Sequence, residues 1–353
     1  MLLKTGSIEV VEAAPADVEA DCARLLAATR EHDVPPERMP WLYRDNPDGD
    51  AVIWLLRDQD SNESVGFTAA LPRRMRVLGE ERMCWIGSDF SVLPKYRTLG
   101  LALKLRRAAK DGIDAGRAEF LYAHPNDRMA VIHSKVGHSP IGQMIRLARP
   151  LRIAPHVAEA TSSPRLGAVA GAVVDPLLRF VDRTTWRRRR VALSHVAEPV
   201  FDARFDGLFE RATAGSSTIL GVRDSRYLSW RYGRNPLQQT EAILAEESGR
   251  LVGYALLSRN ESVHIKDVFP TDDAALAQEL LAEAIRVGFR TGAQSVSATL
   301  LESHPLAATL QGWGFRRRAE TSQMFGYCPA DRPWAEALFD KSSWRISVGD
   351  RDV

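Results

Sequence analysis

Trp41-Leu42-Tyr43-Arg44-Asp45-Asn46-Pro47 returns as Trp230-Arg231-Tyr232-Gly233-Arg234-Asn235-Pro236, one Trp-x-Tyr-x-x-Asn-Pro string used twice in a chain of 353 residues. Further matches follow in the same order. Val65-Gly66-Phe67 returns as Val252-Gly253-Tyr254, Asp89 as Asp267, and Gly137-His138 as Gly314-Phe315. The separation narrows from 189 residues at the tryptophans to 177 at the last glycines. Loop deletions in one copy of a duplicated domain produce this drift. The chain is therefore restricted to two versions of one fold, with expected boundaries at 1–150 and 195–353 around a linker over 151–194.

The first copy reads as an α/β unit. Ile8–Ala13 is a strand, and Ala16–His32 a helix with Val18, Cys22, Leu25 and Leu26 on one face and Asp17 as its cap. Pro35, Pro36 and Pro40 break the chain. Strands follow over 51–56, 64–71 and 82–93, with a polar turn at Asp58–Glu63 between the first two. A helix begins near Gly100, where Leu101, Leu105, Ala108, Ala109 and Ile113 recur with helical spacing. Glu119–Ala123 is a short buried strand, and Asn126–Val136 a helix stopped by Gly137.

The turn between the strand at 82–93 and the next helix carries the chemistry. Pro94 ends the strand ladder, and the sequence then runs Lys95-Tyr96-Arg97-Thr98-Leu99-Gly100-Leu101-Ala102. A strand, a turn with Arg and Gly, and a helix start together make a phosphate-binding geometry. The first helical amides lack partners, the helix dipole adds positive charge, and glycine lets a ligand approach the backbone.

Arg97-Thr98-Leu99-Gly100-Leu101-Ala102, preceded by Val92-Leu93-Pro94-Lys95-Tyr96, resembles the Arg/Gln-x-x-Gly-x-Gly/Ala signature of the GCN5-related N-acetyltransferases. The order of elements around it is similar to theirs. The resemblance implies an α/β mixed sheet in two tandem copies. It also implies acetyl-CoA or another acyl-CoA as donor, its pyrophosphate held by the turn from Arg97 to Ala102, and no metal. Backbone groups around Val92 would hold pantetheine and the thioester carbonyl, where the fourth and fifth strands splay. Asn126 matches an asparagine that contacts pantetheine in relatives, or is only a helix cap.

His133 stands four residues before Gly137, where the family commonly has a tyrosine acid. An imidazolium there could protonate the departing thiolate near neutral pH, or the histidine is only a helix-surface or capping residue. For the base, Asp89 is the best-placed acidic residue. Period-two alternation puts it on one face with Trp85 and Ser91, and an apolar Trp85 would raise its pKa. A structural aspartate bound to nearby arginines is the other reading.

The second copy departs from the signature. Its turn reads Phe269-Pro270-Thr271-Asp272-Asp273, with carboxylates where phosphate would sit, and Leu310 replaces His133. This copy is expected not to catalyse, but to shape the acceptor pocket or extend the sheet of the first. The two Trp-x-Tyr-x-x-Asn-Pro segments either line that pocket or pack beside their Asn-Pro turns. Between the copies, 165–190 is helix-like, with an apolar face and then Trp186 and Arg187–Arg190. That stretch is a packed linker helix, or a weak contact to an anionic membrane surface. The ending from Trp344 to Val353 reads as a cover strand.

Composition sets outer bounds. A net charge of +2 gives no reason to invoke nucleic acid. Cys22, Cys84 and Cys328 are scattered, which points to a reducing compartment and away from zinc. The N-terminus lacks a signal-peptide core, and no apolar run reaches the roughly 18 residues of a membrane span. A cytoplasmic location is expected. The leading function is acyl transfer from CoA to an amine of a small molecule such as an amino acid or amino sugar. An N-acyl amino acid synthase fed by an acyl carrier protein is an alternative, with Arg73, Arg74, Arg76 and the Arg187 cluster facing the acidic carrier. A non-catalytic binding protein of the same fold is another, and a membrane-associated scaffold a third.

Overall fold

The computed structural model describes residues 7–166, 168, 169, 171, 172 and 191–351. Its first copy contains β1 (Ile8–Ala13), α1 (Pro15–Ala27), α2 (Arg38–Tyr43), β2 (Val52–Asp58), β3 (Glu63–Val77) and β4 (Glu80–Val92). These lead to α3 (Leu99–Asp114), β5 (Phe120–Ala123), α4 (Asp127–Lys135) and β6 (Ser139–Pro150). After α5 (Ala154–Thr161) the order repeats: β7 (Ala192–Val196), α6 (Ala203–Thr213), β8 (Ile219–Gly221) and α7 (Ser225–Leu228). Then come β9 (Glu241–Glu247), β10 (Arg250–Arg259), β11 (Val263–Phe269), α8 (Ala274–Thr291), β12 (Ser295–Leu301), α9 (Pro305–Gly312), β13 (Arg316–Tyr327) and α10 (Ala335–Phe339). Among the described residues β8 has no counterpart in the first copy's order, while α10 follows β13 as α5 follows β6.

Each copy sandwiches its strands between helices. Val52–Leu56 is apolar throughout because both faces are covered. Ile53 and Leu55 meet α1 and α2, while Trp54 and Leu56 meet Leu101, Leu105 and Ile113 of α3. Helix α1 ends earlier than its apolar pattern suggests. Pro15 supplies its first turn, Asp17 stands inside that turn rather than at the cap, and the chain leaves the helix at Ala28. The repeated glycines are needed for contact: a Cβ on Gly66 would stand 2.8 Å from the Ser91 carbonyl, and one on Gly253 2.9 Å from that of Phe269.

Among the described residues the strands form one sheet, in the order β1-β2-β3-β4-β5-β13-β6-β12-β11-β10-β9-β7, with β8 alongside β3. The order is a palindrome of equivalent strands. At its centre the last strands are exchanged: β13 pairs with β5 of the first copy, and β6 with β12 of the second. The two then pair with each other. A chain boundary at residue 150 thus follows the sequence repeat, but β6 lies across the middle of the sheet.

The same pseudo-twofold relation governs the face that carries α1 and α2. Trp41 and Trp230 stack with ring centroids 5.2 Å apart. Trp41 Nε1 donates to the Trp230 carbonyl at 3.1 Å, and Trp230 Nε1 to that of Trp41 at 2.9 Å. The contact is reciprocal, as in an isologous dimer interface. The repeated strings therefore pack the two copies together. Around them, Arg73 bonds Asp48 and Asp350, Arg74 bonds Asp48 and Asp224, and Arg76 bonds Glu210. These arginines, expected to meet an acidic carrier, are instead committed to the contact between copies.

In the linker, Leu166 and Val169 are exposed. Trp186 and Arg187–Arg190 of the expected amphipathic helix lie outside the described residues. No helix among the described residues is long and apolar enough to cross a membrane. Replacing Trp41 or Trp230 by Ala removes a buried aromatic and should cost about 3–5 kcal/mol each. The double variant should lose less than the sum, by roughly 1 kcal/mol. Urea unfolding followed by tryptophan fluorescence measures both, and strict additivity would contradict the reciprocal contact.

Candidate functional site

Strands β4 and β5 are paired and parallel from Cys84 and Phe120 to Gly87 and Ala123, and then part. A cleft of about 1060 Å³ opens there. Its walls come from 87–92, from 123–126, from the start of α3 and from the segment after α1. The Leu93 amide donates to the Val65 carbonyl of β3. By strand alternation Val92 then turns its own amide and carbonyl to the opposite edge, toward the gap. Arg97 Nε closes over that carbonyl at 2.9 Å.

The turn after β4 is only partly open. The amides of Arg97 and Thr98 bond the carbonyls of Pro94 and Tyr96. Thr98 caps α3 by accepting from the Leu101 amide, and the Ala102 amide bonds the Thr98 carbonyl. Leu99 and Gly100 keep amides without an acceptor among the described residues. Both are exposed, and nothing lies within 4 Å of where a Gly100 Cβ would be. Leu101 is buried in the core beneath the turn and shapes it from below. Arg97, Thr98, Leu99, Ala102, Val92, Asn126, Asp89 and His133 all line the cleft. Asn126 Oδ1 accepts from the Met129 amide and caps α4.

The expected environment of Asp89 is corrected by a bulge. Thr68 pairs with Phe90 and Ala69 with Ser88, so Asp89 is skipped in the register, and its carbonyl accepts from the Thr68 hydroxyl at 3.0 Å. It takes a positive φ of 25°, and the alternation of β4 reverses there. Trp85 consequently packs on the α3 side, whereas Asp89 and Ser91 face α1. Asp89 is buried and receives Arg30 at 2.7 Å, Arg38 at 2.7 Å and the Tyr43 hydroxyl at 2.5 Å. Burial pushes its pKa up, but Arg38, Tyr43 and Arg30 outweigh burial and hold the carboxyl below its ordinary value. The direction is opposite to the one Trp85 would impose. A permanently charged, fully bonded carboxylate is a poor proton acceptor.

His133 is also changed by its surroundings. Burial, Arg106 and His138 push its pKa well below the ordinary value, so the imidazolium expected as the acid is disfavoured. Its Nδ1 lies 2.8 Å from Nδ1 of His138. Three residues not anticipated from sequence also face the cleft. Arg106 is buried on α3, with its guanidinium over the Phe90 ring at 5.5 Å. His124 follows β5 with both ring nitrogens lacking a hydrogen-bond partner, and burial and Arg351 push its pKa down to about 3. Arg351 arrives from the far end of the chain. Nothing local in the sequence marks these three. The lining carries six arginines against three carboxylates, which favours anionic ligands.

The equivalent place in the second copy is filled. There β11 and β12 pair only over Val263–Ile265 and Val296–Ala298. The segment after α10 enters the gap, with Trp344 and Ile346 fully buried and the Leu301 amide bonded to the Ile346 carbonyl at 3.1 Å. Arg345 pairs with Asp272 at 2.9 Å, and Asp273 caps α8. A void of about 20 Å³ remains, enough for about one water. Asp267 keeps its arginine, Arg223, at 2.7 Å. The chain's ending is thus a plug rather than a cover strand.

Solved structures with this architecture include a GCN5-related N-acetyltransferase from Kribbella flavida, 16% identical with a TM-score of 0.60. The match covers 93% of this chain and 72% of that one. Another is a GCN5-related N-acetyltransferase from Anabaena variabilis ATCC 29413, 12% identical with a TM-score of 0.63, with 91% and 72% covered. No protein-family model and no curated protein sequence matches the chain. The shared property is the fold, and this chain has the fold of the GCN5-related N-acetyltransferases.

Asp89→Asn takes the buried counter-charge from Arg38, which is largely shielded, and from the half-exposed Arg30, and should destabilise the protein by about 3 kcal/mol. Asp267→Asn should do likewise in the plugged copy. Because the folded pKa of Asp89 is depressed, its contribution is complete above the unfolded value near 4. It is lost as pH falls through the lower folded value, so the gap between wild type and Asp89→Asn should close in acid. Denaturation midpoints between about pH 3 and pH 7 test this. A variant of unchanged stability that has lost only turnover would restore Asp89 as the base.

Proposed function

We propose that this chain is an acyl-CoA-dependent N-acyltransferase with one working site, in the first copy, acting on the amine of a small molecule. One contrast supports the reading above all. The first copy keeps an open cleft where β4 and β5 part, beside unbonded amides at Leu99 and Gly100, while the second fills the same place with its own chain. In this reading Arg97, Thr98, Leu99, Gly100, Leu101 and Ala102 form the pyrophosphate turn. Leu99 and Gly100 supply free amides, Thr98 and Leu101 hold the turn's shape, and Arg97 adds charge at the rim. The Val92 amide meets pantetheine or the thioester oxygen, and Asn126 positions the wall at the start of α4.

Asp89 serves in this proposal as an anchor. It ties the segment after α1, which carries Arg30 and Arg38, to the bulged end of β4. Glu31 and Asp33 of the same segment offset Arg30 and Arg38, and Arg97, Arg106, Arg128 and Arg351 give the lining as a whole its positive excess. That excess favours an acceptor that carries an acid group beside its amine, an amino acid rather than an amino sugar. His124 stays neutral in the cleft wall with its nitrogens shielded, and water accepts the proton of the amine.

Calorimetry with acetyl-CoA and longer acyl-CoAs tests the proposal. We expect one donor per chain, and Arg97→Glu should weaken binding on the order of 100-fold through lost and reversed charge. Two donors per chain, or unchanged binding by Arg97→Glu, would overturn it. Turnover of amino acids in preference to their decarboxylated amines tests the acceptor class.

A further inference from the structure

His133 and His138 face each other across the end of α4. Gly137, at a φ of 91°, turns the chain so that the His138 amide bonds the His133 carbonyl at 3.0 Å and the two Nδ1 atoms approach to 2.8 Å. Both rings are buried. Phe325 packs on His133 and Tyr327 stacks on His138, both from β13, the strand contributed by the second copy. Arg106 and Lys110 on α3 are the cations nearest the pair. Together with burial they keep both rings uncharged, and Tyr327 and Lys110 are themselves engaged with Asp114.

Each neutral imidazole carries one N–H, and one proton lies between the two Nδ1 atoms. If His133 donated it, the proton of His138 would sit on Nε2, which is buried and has no acceptor. A buried donor without an acceptor is the rarer and costlier arrangement; a bare lone pair is tolerated better. The proton between the rings therefore belongs to His138. The proton of His133 is then on Nε2, the nitrogen left to face the cleft that this residue lines.

The second copy supports the pairing. Leu310 and Phe315 occupy the two equivalent places, both apolar, so the site holds two polar side chains or none. A histidine at 133 above a phenylalanine at 138 would bury a bare Nδ1.

We infer that His138 is a positioning residue: it fixes His133 in the tautomer that points a neutral N–H at the sulfur of the departing thiol. This rests on the acyltransfer reading. As the C–N bond forms and the C–S bond breaks, negative charge gathers on sulfur, and His133 Nε2–H donates a hydrogen bond to it. The proton that converts thiolate to thiol is the one lost by the amine, so His133 ends each cycle unchanged.

Nitrogen NMR on the full chain labelled with 15N-histidine tests the inference without requiring turnover. The expected wild-type spectrum has His133 protonated on Nε2 and His138 on Nδ1. His138→Phe leaves His133 Nδ1 without its donor, so the ring loses its anchor and its nitrogen signals should show exchange between orientations or tautomers. It should also lower kcat about 10- to 100-fold with the KM for acyl-CoA unchanged. His138→Asn places an amide N–H where the imidazole donor stood, and should restore both tautomer and rate. A wild-type His133 protonated on Nδ1 overturns the inference, as do wild-type nitrogen signals or wild-type kcat in His138→Phe. If no amine is acylated, the acyltransfer reading falls, and the spectra still decide the tautomer.

Discussion

The exchange of the two last strands holds this molecule together. Because β13 lies between β5 and β6, and β6 between β13 and β12, every path across the sheet passes through both copies. The reciprocal tryptophan contact reinforces the same relation on one face. The site inherits its walls from this arrangement. Phe325 and Tyr327 press the two histidines together from the exchanged strand, and the segment that plugs one cleft carries Arg351 on to the other.

Two copies in one chain also give each residue a control. Asp89 holds Arg38 at the start of α2 and Asp267 holds Arg223 just before the equivalent α7, although only one stands beside an open cleft. What survives in the filled copy is scaffold. Arg97, Gly100, His133 and His138 have no counterparts of like chemistry there, and these are the residues that surround the opening. Burial decides the character of each. A carboxylate with three donors stays charged, while imidazoles near Arg106 stay neutral.

Much of this was legible in the sequence. The repeat, the order of elements and the turn from Val92 to Ala102 are local patterns, and local patterns follow from periodicity and turn chemistry. Asp89 shows where that logic stops. Its face is set by a bulge opposite Thr68 and Ala69, and one skipped residue reverses every later side chain. The helix after β1 stops short of its apolar pattern because residues 29–34, polar and exposed in part, wall the cleft instead of continuing a core face. Arg351 was invisible for a different reason. It is brought to the site by contacts between segments more than 200 residues apart, and no spacing encodes that.

The reciprocal tryptophans carry a consequence for descent. An interface in which a residue meets its own equivalent is what a symmetric pair of identical polypeptides builds, and a fused gene inherits it ready-made. In such a pair every substitution strikes twice, so a clogged site would be clogged in both partners. Joining them through residues 151–194 uncouples the two fates. One half becomes free to fill its cleft with its own chain, while the other keeps its cleft open and borrows an arginine from its sibling.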